Sequence, residues 1–551
     1  MQDTTRAARF APGETVDFVI VGSGAAGGIM ARQLATAGHT VLLLEQGPRL
    51  TEADFRHDEF GYFMRGAITN NAETQPQTWR SAPDQQAEPA LNLIYGRFVG
   101  GSNAHFTANF WRMRPVDFNE ATVLGGVPGT GLADWPITYD ELEPYYTQAE
   151  WELGVSGVPG PFDPPRSRPY PMPPLPIKSS GVLFERAARQ LGFHPQPTPM
   201  AINSQPYNGR PACQHCGWCL GFLCEYRAKS TSMAVMLPVA EATGKCEVRP
   251  GSYVARVETD ARGRATGVTY FDGEKREQFQ PARAVVLCAN GAETPRLLLN
   301  SASSRFPDGL ANSSGVVGKY LMFNGNWGAY GIFEHPLNEY KSVQTTRMIL
   351  DWYETDPARG FYGGGGIDAR FNQYPILFAL GGLPPDAPNW GAEYKRMLAE
   401  YYTRTLHFAT HSTSLPVESN SITLDPQLKD AWGLPAMRVT YRDHADDLRT
   451  GQFLVDRAME IMEAAGARRR WAVPVEPQRF SVHLLGTCRM GNDPRTSVVD
   501  RFHRTHDVRN LFICDGSSLV TSTRGQPTET ISALAFRAGE AIAAFARRGE
   551  I

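Results

Sequence analysis

The stretch VDFVIVGSGAAGGIMARQLATAGHTVLLLEQG near the N-terminus admits few folds. Val16 to Val21 is a short apolar, β-rich run, and Gly22-Ser-Gly24-Ala-Ala-Gly27 follows at once. Residues 25–37 have helical spacing, and Thr40 to Leu44 is a second apolar strand ending at Glu45. A strand, a glycine loop, a helix and a strand in that order make a βαβ unit. Gly22 permits the tight turn, Gly24 lets the backbone approach a pyrophosphate, and Gly27 lets helix and strand pack closely. The helix start offers unpaired N–H groups to the negative charge, and Glu45 stands where a carboxylate accepts from both ribose hydroxyls. The expectation is an α/β chain with a Rossmann-like, dinucleotide-binding domain.

Both NAD and FAD use such a unit, and three later segments favour FAD. Residues 284–299 read as a buried strand, a small-residue turn and a helix. Residues 510–517 read as another buried strand, whose Asp515-Gly516 end would approach the pyrophosphate or ribitol. Residues 95–105 supply a second glycine pair, Gly100-Gly101, followed by Asn103 and His105. The chain has 551 residues, enough for two or three domains, and its proline-dense stretch 158–176 marks a domain transition. Its net charge of −3, without long like-charge runs, gives no footprint for nucleic acid or an anionic membrane, so small-molecule partners are expected. No run of about 18 apolar residues suggests a membrane span. No secretory signal is visible, so the expected location is the cytoplasm, with export on a signal-bearing partner left open.

Two segments remain. Cys213, Cys216, Cys219 and Cys224 sit together with spacings that suit an iron–sulfur cluster, zinc, or a thiol-rich or disulfide-stapled turn. In SVHLLGTCRMG, His483 would serve as a core residue, a metal ligand or a proton acceptor, and nothing local separates these.

The βαβ unit, Val99-Gly100-Gly101, residues 111–118, residues 419–435, and HLLGTCRMG with the later Asp-Gly-Ser and Gln526-Pro527-Thr528 together resemble the glucose-methanol-choline (GMC) flavoprotein oxidoreductases. The resemblance runs from about residue 14 to the C-terminus and is looser over 150–205 and 320–410. It implies a discontinuous FAD-binding domain (1–160, 205–312 and 478–551) and an inserted α+β substrate domain built on an antiparallel sheet (161–204 and 313–477). It implies FAD-dependent oxidation of an alcohol, such as a sugar, glycoside or cyclic secondary hydroxyl, with His483 as general base. Relatives carry His or Asn 43 positions after that base, where this chain has Gln526, which would donate to a developing alkoxide but not act as base. Pro527 and Thr528 would open a helix whose N-terminus faces the flavin's C2 carbonyl. The backbone of Val254 would pass the adenine, and His105 matches a position where some relatives attach flavin covalently. Some relatives hold an iron–sulfur cluster in the cysteine-rich region, which would pass electrons to an acceptor protein or small subunit. Oxidation of aromatic or long-chain alcohols, a hydroxynitrile lyase-like role and a purely electron-carrying role stay open at this stage.

Overall fold

Five strands lie parallel in the order Cys246–Arg249, Val41–Leu44, Val16–Val21, the second half of Glu277–Leu287, and Leu511–Ile513. The structure, a computed structural model, describes residues 9–11, 13–370 and 374–551. Val41–Leu44 is buried throughout and Val16–Val21 nearly so, as strands covered on both faces must be. Their side chains alternate between two cores. Phe18 and Ile20 pack under helices Ala25–Thr36 and Thr528–Arg547, while Val19 and Val21 join Val285 and Leu287 on the opposite face. The first half of Glu277–Leu287 turns antiparallel and carries Ala265–Phe271 and then Tyr253–Thr259, completing a seven-stranded sheet.

A second sheet has six strands, in the order Arg469–Ala472, Gly328–Ile332, Thr405–Ser412, Gly365–Arg370, Thr345–Ile349 and Gln196–Pro197, all paired antiparallel. Its two faces differ in chemistry. Leu406, Phe408, Ile367 and Ala369 pack with Phe184, Leu454 and Ile461 from helices Ser179–Gln190 and Ala445–Ala464. Each large apolar side chain buried there contributes about 1.5–3 kcal/mol. The alternate positions put His407, Ala409 and His411 opposite Arg370, Asp368 and Gly366 on the other face. The polar side chains among them are buried, so the charged ones need partners.

A four-stranded sheet, Ser421–Lys429, Pro435–Thr440, Gln77–Arg80 and Glu88–Pro89, joins distant parts of the chain. Its apolar side chains Trp79, Ile422, Met437 and Val439 pack with Phe323 and Leu484, which fixes the segment containing His483. The chain is thus α/β, with a Rossmann-like nucleotide sheet beside a helix-backed antiparallel sheet, as expected. Among the described residues no helix is long and apolar enough to cross a membrane.

Candidate active site

A cavity of about 710 Å³ opens beyond the carboxyl ends of the parallel strands, where ligands bind in open α/β sheets. Gly22, Gly24 and Glu45 line it. So do Gly101, Asn103, His105 and Val254. Asp515, Gly516, Pro527 and Thr528 line it as well, together with His483 and Gln526.

Gly27 and Gly100, the other two glycines picked out in the sequence, do not. A Cβ on Gly27 would fall against the Gly22 carbonyl oxygen, so this glycine serves helix–strand packing. Gly100, at φ 105°, donates its N–H to Ser23 Oγ at 2.8 Å, and that hydroxyl donates to Glu45 Oε2 at 2.6 Å. Ser23, which drew no attention in the sequence, therefore ties the first glycine loop to the second. Glu45 also accepts from the N–H groups of Ser23 and Gly47, so only part of its acceptor capacity is left for a ribose. Burial pushes its carboxyl up, against those hydrogen bonds.

The Asp515 side chain is fully engaged. It accepts from the Asn290 and Ser517 N–H groups and the Thr294 and Ser517 hydroxyls, locking the last parallel strand to helix Asn290–Asn300. Its segment meets the cavity mainly as backbone with Gly516, where a Cβ would stand 2.5 Å from the Leu484 carbonyl oxygen.

The residues suit an extended dinucleotide. A Cβ added to Gly24 would meet nothing within 4 Å, so the loop offers bare backbone to a ligand. His105, in the short helix Ser102–His105, has a buried Nε2 with no partner, which a bound group would complete. Burial, with the nearby Lys229 ammonium, pushes this imidazole down to about 4, so it is neutral at ordinary pH.

His483 is oriented by a residue whose role was not foreseen. Its Nδ1 lies 2.9 Å from Asn324 Oδ1. The Asn324 amide nitrogen donates to the carbonyls of Ser412 and Thr523, which accept only, so Oδ1 must face the histidine. Nδ1 therefore carries the hydrogen. Nε2 keeps its lone pair, in a ring that lines the cavity. Burial, with the Arg370 guanidinium nearby, pushes His483 down to about 4.

Gln526 also meets the polar face of the six-stranded sheet. Its Nε2 is 3.4 Å from His411 Nδ1, and His411 Nε2 is 2.8 Å from Asp368 Oδ2. Asp368 also pairs with Arg370 through both oxygens. Although burial opposes ionisation, Arg370 and His411 hold Asp368 well below the usual carboxylate range. The signal for this group was the alternation in residues 405–412, where His407 and His411 interleave with Leu406 and Phe408.

With this geometry in place, the comparisons with known proteins decide the family. The GMC oxidoreductase models match residues 16–322 and 416–535. The chain is a GMC oxidoreductase. Members of this family bind FAD, and this one is an FAD-dependent oxidoreductase acting on CH–OH groups. Over 96% of its length it is 35% identical to 2-methyl-1,2-propanediol dehydrogenase of Mycolicibacterium austroafricanum, covering 95% of that protein. It is 32% identical to the fructose dehydrogenase large subunit of Gluconobacter japonicus, covering 98% of it, and 31% to the gluconate 2-dehydrogenase flavoprotein of Pantoea cypripedii, covering 93%. In fold the GMC oxidoreductase resembles pyridoxine 4-oxidase from Mesorbium loti, with a TM-score of 0.64 at 18% identity, over 96% of this chain and 99% of that one.

The four cysteines surround a small pocket shared with Lys229, while Leu220 and Gly221 between them line the large cavity. All four cysteines are free, and among the described residues no group of three or more His, Cys, Asp or Glu is arranged to hold a metal ion. Lys229 is occupied by the carbonyls of Phe106, Cys219 and Phe222. As arranged here, Cys213, Cys216, Cys219 and Cys224 do not fit the metal group that their spacing suggested.

Proposed function

We propose that this GMC oxidoreductase oxidises a hydroxyl-rich alcohol, a sugar, glycoside, polyol or cyclic secondary alcohol, with His483 as general base. The observation that carries the reading is the Asn324–His483 hydrogen bond, which leaves Nε2 unprotonated in the cavity that the glycine loops also line. The hydroxyl proton passes to Nε2 as the carbon–hydrogen bond breaks, and the alcohol becomes a carbonyl. Bound FAD supplies the two-electron acceptor for the hydrogen leaving carbon. Gln526, buried but facing the cavity, donates an amide N–H to the substrate oxygen as its negative charge grows. Helix Thr528–Arg547 begins at the cavity wall, so its positive end would favour negative charge on a flavin bound there.

In this reading Gly22, Gly24 and Glu45 hold the pyrophosphate and ribose, Val254 passes the adenine, and Gly101, Asn103, Asp515 and Gly516 hold the rest of the dinucleotide. His105 is the attachment point of the flavin, supported by its neutral ring and unpartnered Nε2 in the cavity wall. The substrate class is supported by the diol, fructose and gluconate named for the relatives, and an electron-accepting partner by the words "large subunit" and "flavoprotein" in two of those names. No step runs through the cysteines.

Anaerobic mixing of the purified holoenzyme with vicinal diols, sugars, sugar acids, aromatic alcohols and long-chain alcohols tests the reading. Bleaching of the flavin by the polyhydroxylated compounds is expected. Bleaching only by aromatic or long-chain alcohols would overturn the substrate class, and no bleaching by any alcohol would overturn the reaction.

A further inference from the structure

Behind Gln526 the polar face of the six-stranded sheet presents side chains that the proton transfer to His483 leaves unused. We infer that His411, held by Asp368 and Arg370, is a positioning residue that aims the Gln526 carboxamide so that its N–H faces the reacting oxygen. The inference rests on the donor role proposed for Gln526.

The chain of contacts runs from the carboxylate outward. Asp368 is buried and paired with Arg370, so it is ionised and accepts only. His411 Nε2, 2.8 Å away, must therefore carry a hydrogen and donate to Oδ2. Arg370 Nη2 also lies 2.9 Å from that ring nitrogen, but Arg370 donates to the same Asp368 oxygen, and the tautomer follows from that carboxylate, which can only accept. With Nε2 protonated, Nδ1 has only a lone pair, which calls for an N–H from the side chain facing it. Gln526 presents Nε2 there, at 3.4 Å. A primary amide nitrogen has two hydrogens. One goes to His411, and the second is held toward the cavity.

Turned the other way, the carboxamide would set its oxygen against the Nδ1 lone pair. The dyad thus decides whether position 526 offers the substrate a donor or an acceptor, a choice that an unsupported glutamine leaves open. The approach is also fixed sterically. Trp111 packs edge-on against His411 with ring centroids 5.8 Å apart, and a Cβ on Gly525, at φ 145°, would come within 2.6 Å of the Trp111 ring. Only glycine before Gln526 lets the chain pass this close to the Trp111–His411 pair.

The test measures anaerobic flavin reduction in holoenzyme variants, with flavin content and substrate dissociation constant measured alongside. His411→Leu should slow reduction roughly 10²-fold, the cost of one misplaced donor, with little change in substrate binding. His411→Asn, whose carboxamide oxygen falls near the place of Nδ1, should recover to within about tenfold of the parent, because it still accepts from Gln526. The double variant His411→Leu/Gln526→Leu should be no slower than Gln526→Leu alone, since the two side chains act as a unit. Additive losses, a His411→Asn variant as slow as His411→Leu, or a His411→Leu variant at the parent rate would each overturn the inference. Loss of the donor reading itself shows separately, as Gln526→Leu reducing at the parent rate.

Discussion

The two ends of the cavity are built by different means. The nucleotide end is mostly backbone: glycines whose missing side chains allow turns and close approach, and loops tied through Ser23, Glu45 and Gly100. The reaction end is mostly side chains, brought from Asn324, Asp368, His411, His483 and Gln526, which lie far apart in the chain. Damage at the first end should therefore cost cofactor and stability. Damage at the second should cost rate and leave the cofactor in place.

The sharpest break of that contrast comes from Gly27→Ala. Its methyl group would fall on the Gly22 carbonyl oxygen, a backbone atom that cannot swing aside, at a cost of about 3 kcal/mol. The expected outcome is protein purified with little or no flavin, read from its visible absorbance. Full flavin content would show that the cradle tolerates what its geometry forbids.

A smaller effect is expected from Asn324→Ala at the other end. It removes the acceptor for His483 Nδ1–H, so both tautomers become populated and flavin reduction slows roughly 10–100-fold at full flavin content. The parent enzyme sharpens the point through pH. With His483 held down to about 4, the acid limb of reduction should lie near pH 4 and not near the ordinary histidine value.

Least dramatic is the dependence of stability on pH. His483 and His503 are both held down to about 4 in the folded chain by burial. Between the ordinary histidine value of 6.5 and about 4 the unfolded chain therefore binds more protons, so stability is full above about 6.5 and is lost as pH falls through that window. Each group contributes a slope of about 1.4 kcal/mol per pH unit within it, and Tm should fall accordingly on acidification. A Tm independent of pH over that range would show that these rings are not buried neutral.

The same contrast explains what was legible in the sequence. The βαβ unit could be read because a pyrophosphate needs glycines at fixed short spacing, and neighbours in sequence there are neighbours in space. Gln526 and Thr528 could be placed only by resemblance to a family. Asn324 escaped because its value lies in the direction of one amide oxygen, set by the carbonyls of Ser412 and Thr523 from two other segments. Asp368 and His411 escaped because they share a sheet face only through strand register, which period-two alternation hints at but does not fix. The cysteines differ again. Their spacing suggests a metal, but spacing in sequence does not fix convergence in space, and among the described residues no three such donors are arranged to hold one.

The central claim is that the Nε2 of His483 takes the proton from the alcohol. It is tested most directly by rapid anaerobic mixing of the His483→Ala holoenzyme with a substrate that bleaches the parent. A normal flavin spectrum before mixing and reduction slowed by about 10²–10⁴-fold are expected. Reduction at the parent rate in that variant would contradict it.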